Sequence, residues 1–388
     1  MAESLDVLGI AETWSFWDRP IPSYIPRQVE LPDALSDSVA LVVQGVRRCG
    51  KSTLLQQMVG RYGLDPARCA FLNFEDPRLT GALKYETLQA LVEQFRAHRP
   101  GAPRLHFFLD EIQAVEGWER WLRSQLDRKR GHTFVITGSN ATLLSGELSS
   151  ALTGRHHTSE LFPFSWQEFV SADGSRTLTD YLSSGGFPEP LTMSDGDKLR
   201  RQYFDDIVER DVRERVSARS SRPIRQVAHM VYEAAGSELS LRRVAAATGI
   251  ATDTASKYLD ACEDAYLLFG VPYFAYSERK RAARNKKYYP IDAGLRRLVM
   301  TKTGADAGKA LECATYLALR RRYRDIFYWR GDGEVDFVVL DEDQAVPYQV
   351  TWDAPEERHH RALDAFYEQF PHAQECVFVT RETFAELA

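Results

Sequence analysis

The sequence predicts an α/β protein, on three observations. Between residues 39 and 164 five short apolar runs, VALVV, CAFLNF, HFFLDE, HTFVIT and TSELF, alternate with helix-length stretches, the pattern of a parallel sheet covered by helices. A glycine-rich loop follows the first run directly, and the third run ends in two adjacent carboxylates. At 388 residues, 44% hydrophobic and 27% charged, the chain is long enough for several domains and too apolar for disorder.

Residues 1–38 form an N-terminal segment with early acidic residues and no apolar core of a signal peptide. No stretch of the chain approaches the ~20 apolar residues of a membrane span, so neither secretion nor a membrane partner is expected. Cys49, Cys69, Cys262, Cys313 and Cys376 never fall in CxxC spacing, which argues against a disulfide framework or a zinc site and for a reducing cytoplasm. With 49 basic and 55 acidic residues the formal charge is -6, so any surface for nucleic acid must be a local patch.

Residues 39–165 hold the first candidate site. After Ala40-Leu41-Val42-Val43 the chain reads Gly45-Val46-Arg47-Arg48-Cys49-Gly50-Lys51-Ser52-Thr53 and then a helical LLQQMV, which is the strand, GxxxxGK[ST] loop and helix of a P-loop. The loop from Gly45 through Arg48, Cys49 and Gly50 to Thr53 is the predicted phosphate cradle, its N–H groups turned to oxygens at a helix N-terminus. Lys51 reaches the β- and γ-phosphates and the Ser52 hydroxyl ligates Mg²⁺. Asp110 and Glu111, ending an apolar strand about 60 residues later, fit a Mg²⁺ holder and a group that polarises the attacking water. The strand Phe134–Thr137 runs into Gly138-Ser139-Asn140, where Asn140 is placed to sit between the γ-phosphate and that water. ATP and Mg²⁺ are therefore the expected ligands.

Residues 166–222 read as helical, with the Gly185-Gly186-Phe187-Pro188 turn as punctuation, a long charged helix around Lys198–Val216 and a boundary at SARSSRP, 217–223. Over residues 223–291, Ser240–Ile250 and Thr252–Ala261 are spaced for two short helices about a turn at Gly249, the helix-turn-helix pattern. The second helix is expected to present Thr252, Thr254, Ser256 and Lys257 to phosphates or base edges. After a strand at Tyr266–Val271, the segment Glu278–Lys287 sets Arg279, Lys280, Arg281, Arg284, Lys286 and Lys287 against one acid, a wing suited to DNA phosphates.

On these motifs the chain resembles the prokaryotic AAA-type P-loop ATPases, close to their archaeal-ATPase and STAND-like branch, with a winged helix and a restriction-endonuclease-like C-terminal domain. The resemblance rests on GVRRCGKST at 45–53, LNFEDPRL at 72–79, FLDEIQ at 108–113, TGSNATLLS at 137–145, LTGRHHTSELFPFSWQEF at 152–169, GGFPEP at 185–190, ERDV at 209–212, KKYYPIDAGLR at 286–296 and GEVDFV at 333–338, and so covers nearly all of the chain. It implies a sheet in which the sensor strand lies between the P-loop strand and the acidic strand. It also implies a helical lid over 166–222 whose Pro188 turn approaches the nucleotide, and an arginine near the γ-phosphate, for which Arg155 is the match. The implied function is ATP-driven translocation on, or remodelling of, duplex or branched DNA such as a Holliday junction, by a self-associated chain, hexameric or another ring. The alternative is a STAND-like switch whose nucleotide state gates protein partners.

Over residues 292–388, Glu312 on a helix, Asp336 in the strand Glu334–Val339 and Gln349-Val350-Thr351 in the next strand have the order and spacing of a PD-(D/E)XK fold. Gln349 stands where that chemistry needs a carboxylate and Thr351 where it needs a lysine, so the domain is expected to bind or assemble, not to cut. The pairs His156-His157 and His359-His360 lack metal-ligand spacing and read as structural or surface residues.

Overall fold

The computed structural model describes residues 5–17, 20, 24–139, 152–300 and 307–388. The chain divides into two units, one of Met1–Val46 with Gly50–Leu161, the other of Arg47–Cys49 with Phe162–Ala388.

The first unit is a five-stranded parallel sheet of β1 (Ala40–Gln44), β2 (Cys69–Asn73), β3 (His106–Asp110), β4 (Thr133–Gly138) and β5 (His156–Glu160), in the order β2-β3-β4-β1-β5. The expected insertion of β4 between β1 and β3 is thus present. β1, β3 and β4 are buried along their whole length, which is why they read as continuous apolar runs. β5 is a polar edge strand and begins two residues before the TSELF run, because an edge strand leaves side chains in solvent. The crossovers are helices Lys51–Arg61, Tyr85–His98 and Trp118–Arg128.

The N-terminal segment, for which the sequence offers no pattern, forms a helix at Val7–Trp14 capped by Asp6, whose carboxylate accepts from the Gly9 N–H. Val7, Ile10 and Ala11 join the core of the sheet. Just beyond the helix, Ser15 Oγ accepts from the Phe71 N–H at 3.0 Å and Trp17 Nε1 donates to the Cys69 carbonyl at 2.6 Å. Both groups belong to edge strand β2, so the segment satisfies backbone groups that would otherwise invite another strand.

The second unit begins with helices Trp166–Ala172, Leu178–Ser184 and Gly196–Asp206, the last running on into a π-helical turn, Ile207–Arg213. The charged helix expected at Lys198–Val216 is therefore α-helical only over its first part. Helices Arg222–Glu233, Leu241–Thr248 and Thr252–Asp264 follow, then the antiparallel pair β6 (Leu268–Val271) and β7 (Lys287–Pro290). A single bridge joins Glu238 to Lys287. The C-terminal part is a four-stranded sheet, order β11-β10-β9-β8, of β8 (Ile326–Gly331), β9 (Gly333–Asp341), β10 (Gln344–Val350) and β11 (Val377–Val379), with helices Ala307–Arg320 and Glu357–Gln369.

Two motifs far apart in sequence meet in this unit. The buried Asp292 carboxylate accepts from the Gly186 and Leu295 N–H groups, each at 2.7 Å. A Cβ on Gly185 would lie 2.0 Å from Asp292 Oδ1, and one on Gly186 2.4 Å from the Phe164 carbonyl, so this close approach requires glycine at both positions.

Candidate nucleotide site

The site is built where β1 and β3 end. Gly50 takes the left-handed conformation, φ 102°, and turns the chain into helix Lys51–Arg61. Arg48 is also left-handed, φ 70°, and Cys49 is buried. Lys51 is 4% exposed; its Nζ donates to the Gly45 and Val46 carbonyls at 3.0 and 3.2 Å and lies 3.7 Å from Glu111 Oε1. Ser52 Oγ donates to Asp110 Oδ2 at 2.6 Å, and Thr53, half-buried, follows in the first turn.

Asp110 is fully buried and draws together three side-chain donors: Ser52, Thr137 Oγ1 at 2.5 Å and Asn73 Nδ2 at 3.1 Å. Burial first, and then the neighbouring Glu111 charge, push its carboxyl above the usual range, while the two hydroxyls and Lys51 pull the other way. Glu111 is left-handed, φ 55°, a sparsely populated conformation for a side chain of this kind; its N–H donates to Thr137 Oγ1 at 3.0 Å and its carboxylate accepts from Gln113 Nε2 at 2.5 Å. Thr137 ties both carboxylate residues to β4, and Asn73 ties Asp110 to β2. Sequence reasoning missed both, although a hydroxyl closing a buried strand beside an acidic strand is a readable signal. The Ser52 and Asp110 oxygens, 2.6 Å apart beside Lys51, are the hard donor set Mg²⁺ takes.

Asn140 lies outside the described residues. Arg155 precedes β5, and its carbonyl accepts from Ala40 N at the start of β1. β1 is five residues long, so about 16 Å of strand separates Arg155 from the loop that follows Gln44. Arg155 Nη1 pairs there with Asp127 Oδ1 at 2.6 Å, both side chains a third or more exposed. Pro188 leads into a short turn, Glu189–Thr192, of the second unit.

On helix Thr252–Asp264, Thr252 and Lys257 are exposed and Thr254 half-buried. Arg279, Lys280 and Arg284 are exposed between β6 and β7, Arg284 over the Tyr273 ring. Arg281 is engaged: its Nε donates to the Ala275 carbonyl at 2.5 Å and its guanidinium covers the Phe327 ring. Lys287 does not belong to this surface at all; it opens β7, is fully buried and pairs with Glu334.

The second carboxylate group occupies the C-terminal part. Glu312 accepts from Tyr289 OH at 2.7 Å and from Lys309 Nζ at 2.8 Å. Asp336 accepts from Gln349 Nε2 and the Val350 N–H, each at 2.8 Å, and burial, then Glu312, push it up to about 7. Among the described residues no three His, Cys, Asp or Glu side chains converge to hold a metal. His156 and His359 make local hydrogen bonds, to the Leu152 carbonyl and from the Glu356 N–H.

Residues 37–170 match the family described as an AAA domain, and residues 175–306 a domain of unknown function, DUF8612. An uncharacterized protein of Haemophilus influenzae is 31% identical over 339 residues, 82% of this chain and 84% of its own length. An uncharacterized protein of Methanocaldococcus jannaschii is 29% identical over 354 residues, 84% of this chain and 77% of its own. Among solved structures, AMPPCP-bound DnaA from Aquifex aeolicus aligns over 59% of this chain and 82% of that one, at 16% identity and a TM-score of 0.29, a likeness that bears no weight here. Among the described residues no helix is long and apolar enough to cross a membrane.

Proposed function

The chain belongs to the family of the uncharacterized Haemophilus influenzae protein and carries an AAA domain, and from that premise we propose that it is a Mg²⁺-dependent ATPase that acts on DNA as a self-assembled ring. The observation that carries the ATPase reading is the meeting of Lys51, Ser52, Asp110 and Glu111 at the ends of β1 and β3. The loop N–H groups receive the phosphates, and Lys51 exchanges its two carbonyl partners for β- and γ-phosphate oxygens. Ser52 and Asp110 hold Mg²⁺, which when bound neutralises charge gathering on the phosphates. Glu111 orients the attacking water and accepts its proton as the γ-phosphoryl group leaves ADP. Arg155, at the other end of β1, serves the nucleotide of a neighbouring copy; its exposed pair with Asp127 is worth only ~0–1 kcal/mol and gives way on assembly.

Three helices, the β6–β7 pair and the Glu238–Lys287 bridge support a winged helix over 223–291, with Thr252, Lys257, Arg279, Lys280 and Arg284 on DNA phosphates. The sheet β8–β11 supports a nuclease-derived domain that grips or assembles instead of cutting, since Asp336 is bonded to Gln349 where a second carboxylate would stand.

ATP turnover of the full chain, measured with single-stranded, duplex, forked and four-way DNA, tests this reading. Turnover should rise with at least one of them, and the rise should vanish when Arg279, Lys280 and Arg284 are changed to alanine. Turnover indifferent to every DNA contradicts it and favours a switch acting on protein partners.

A further inference from the structure

The loops that precede β2, β3 and β4 lie side by side, because the register aligns Cys69, His106 and Thr133 across three adjacent parallel strands. They form the edge of the first unit at the opposite end of the sheet from Lys51. That edge gathers Arg68, Arg96, Arg104, Arg128, Lys129 and Arg130, all exposed. Asp65 answers Arg68, and Asp127 is shared by Arg123 and Arg155. The other five cations have no carboxylate partner among the described residues. The loops pack closely, for a Cβ on Gly131 would lie 2.8 Å from the Pro103 carbonyl, so the backbone segments that carry residues 104 and 130 run side by side.

Two buried imidazoles stand directly behind. His106 is pushed down to about 4 by burial and then by Arg104 and Arg68, and His132 is pushed down by burial and then by Arg96 and Arg130. The positive field of the edge thus converges on uncharged rings. Neither ring nitrogen of His132, 6% exposed, has a hydrogen-bond partner, which leaves an unused donor in the loop that carries Arg130.

We propose that this edge of the ATPase unit binds the phosphodiester backbone of a nucleic acid, as a second surface independent of helix Thr252–Asp264 and the β6–β7 segment. A chain of formal charge -6 that concentrates unpaired cations on one edge is built for a polyanion. Five of the six are arginines, whose planar fork matches phosphate oxygens pairwise and distinguishes this surface from a lysine-rich membrane patch. Each contact acts through released counterions and carries no sequence preference.

The test compares the full-length wild type with the triple variant Arg104→Ala, Lys129→Ala, Arg130→Ala and, separately, with Arg279→Ala, Lys280→Ala, Arg284→Ala. Anisotropy of fluorescent single-stranded and duplex oligonucleotides is titrated across a salt series. None of the edge residues touches the nucleotide site of its own chain, so an unchanged urea-unfolding midpoint and unchanged binding of a fluorescent ATP analogue show that the variant is folded. The edge variant should bind about tenfold or more weakly at moderate salt, with a log-log salt slope flatter by about 2–3. Wild-type affinity and slope in the edge variant overturn the proposal, whatever the other variant does. A loss confined to the β6–β7 variant leaves DNA action standing and this surface refuted. Loss of binding to phosphatidylserine vesicles or polyglutamate, with DNA binding intact, assigns the edge to a membrane or an acidic protein and also overturns it.

Discussion

Asp110 and Asp336 are both buried carboxylates on strands, both pushed up first by burial, and each has a second carboxylate and a lysine nearby. They differ in what holds them. Asp110 is bonded to the hydroxyls of Ser52 and Thr137, groups that rotate and also serve a cation, as well as to the Asn73 amide, while Lys51 rests on two backbone carbonyls and lies 3.7 Å from Glu111. Asp336 is bonded to an amide and a backbone N–H, and the Lys309 ammonium is already spent on Glu312. A buried acidic site is ready for a ligand when its own partners can be exchanged, and closed when they cannot.

Removing the two lysines should separate the two acidic groups most strongly. Lys51→Ala takes away the cation proposed to meet the β- and γ-phosphates and should abolish binding of a fluorescent ATP analogue, while Lys309→Ala should leave that binding unchanged. Equal loss in both would show that the second group takes part in nucleotide binding.

Thr137→Val is a smaller probe of the first region. It removes a donor to Asp110 and leaves the buried Glu111 N–H without its acceptor. It should destabilise the chain by about 1–3 kcal/mol in urea unfolding and slow ATP turnover, with nucleotide affinity largely kept. Wild-type stability and turnover would mean that the hydroxyl is dispensable.

The smallest effect belongs to Asp336. Its folded value of about 7 lies above the ordinary 3.8, so the folded chain holds a proton that the unfolded chain gives up. That contribution is complete below about pH 4 and is lost as pH rises through 7. Asp336→Asn, which carries no titrating proton, should flatten the fall in urea midpoint between those limits. A variant with the wild-type slope would place the titration elsewhere.

The sheet was readable because strands buried on both faces must be apolar, and the turn into helix Lys51–Arg61 because its left-handed Gly50 favours glycine. β5 was displaced by two residues because an edge strand carries little hydrophobic signal. The helix Val7–Trp14 has only two turns and a glycine within it, too short a pattern to register. The bond between Asp292 and Gly186 spans 106 residues, and no local pattern announces it. Lys287 was counted with the wing cations because a charge run read along the sequence does not show that a buried strand starts at its last residue.

In the proposed reading Glu111 acts on water while Lys51, Ser52 and Asp110 hold the nucleotide. Single-turnover hydrolysis and equilibrium binding of ATP, measured on Glu111→Gln beside the wild type, test it most directly. ATP affinity should stay close to wild type and hydrolysis should slow by about 10²-fold or more. Hydrolysis at the wild-type rate in that variant would contradict it.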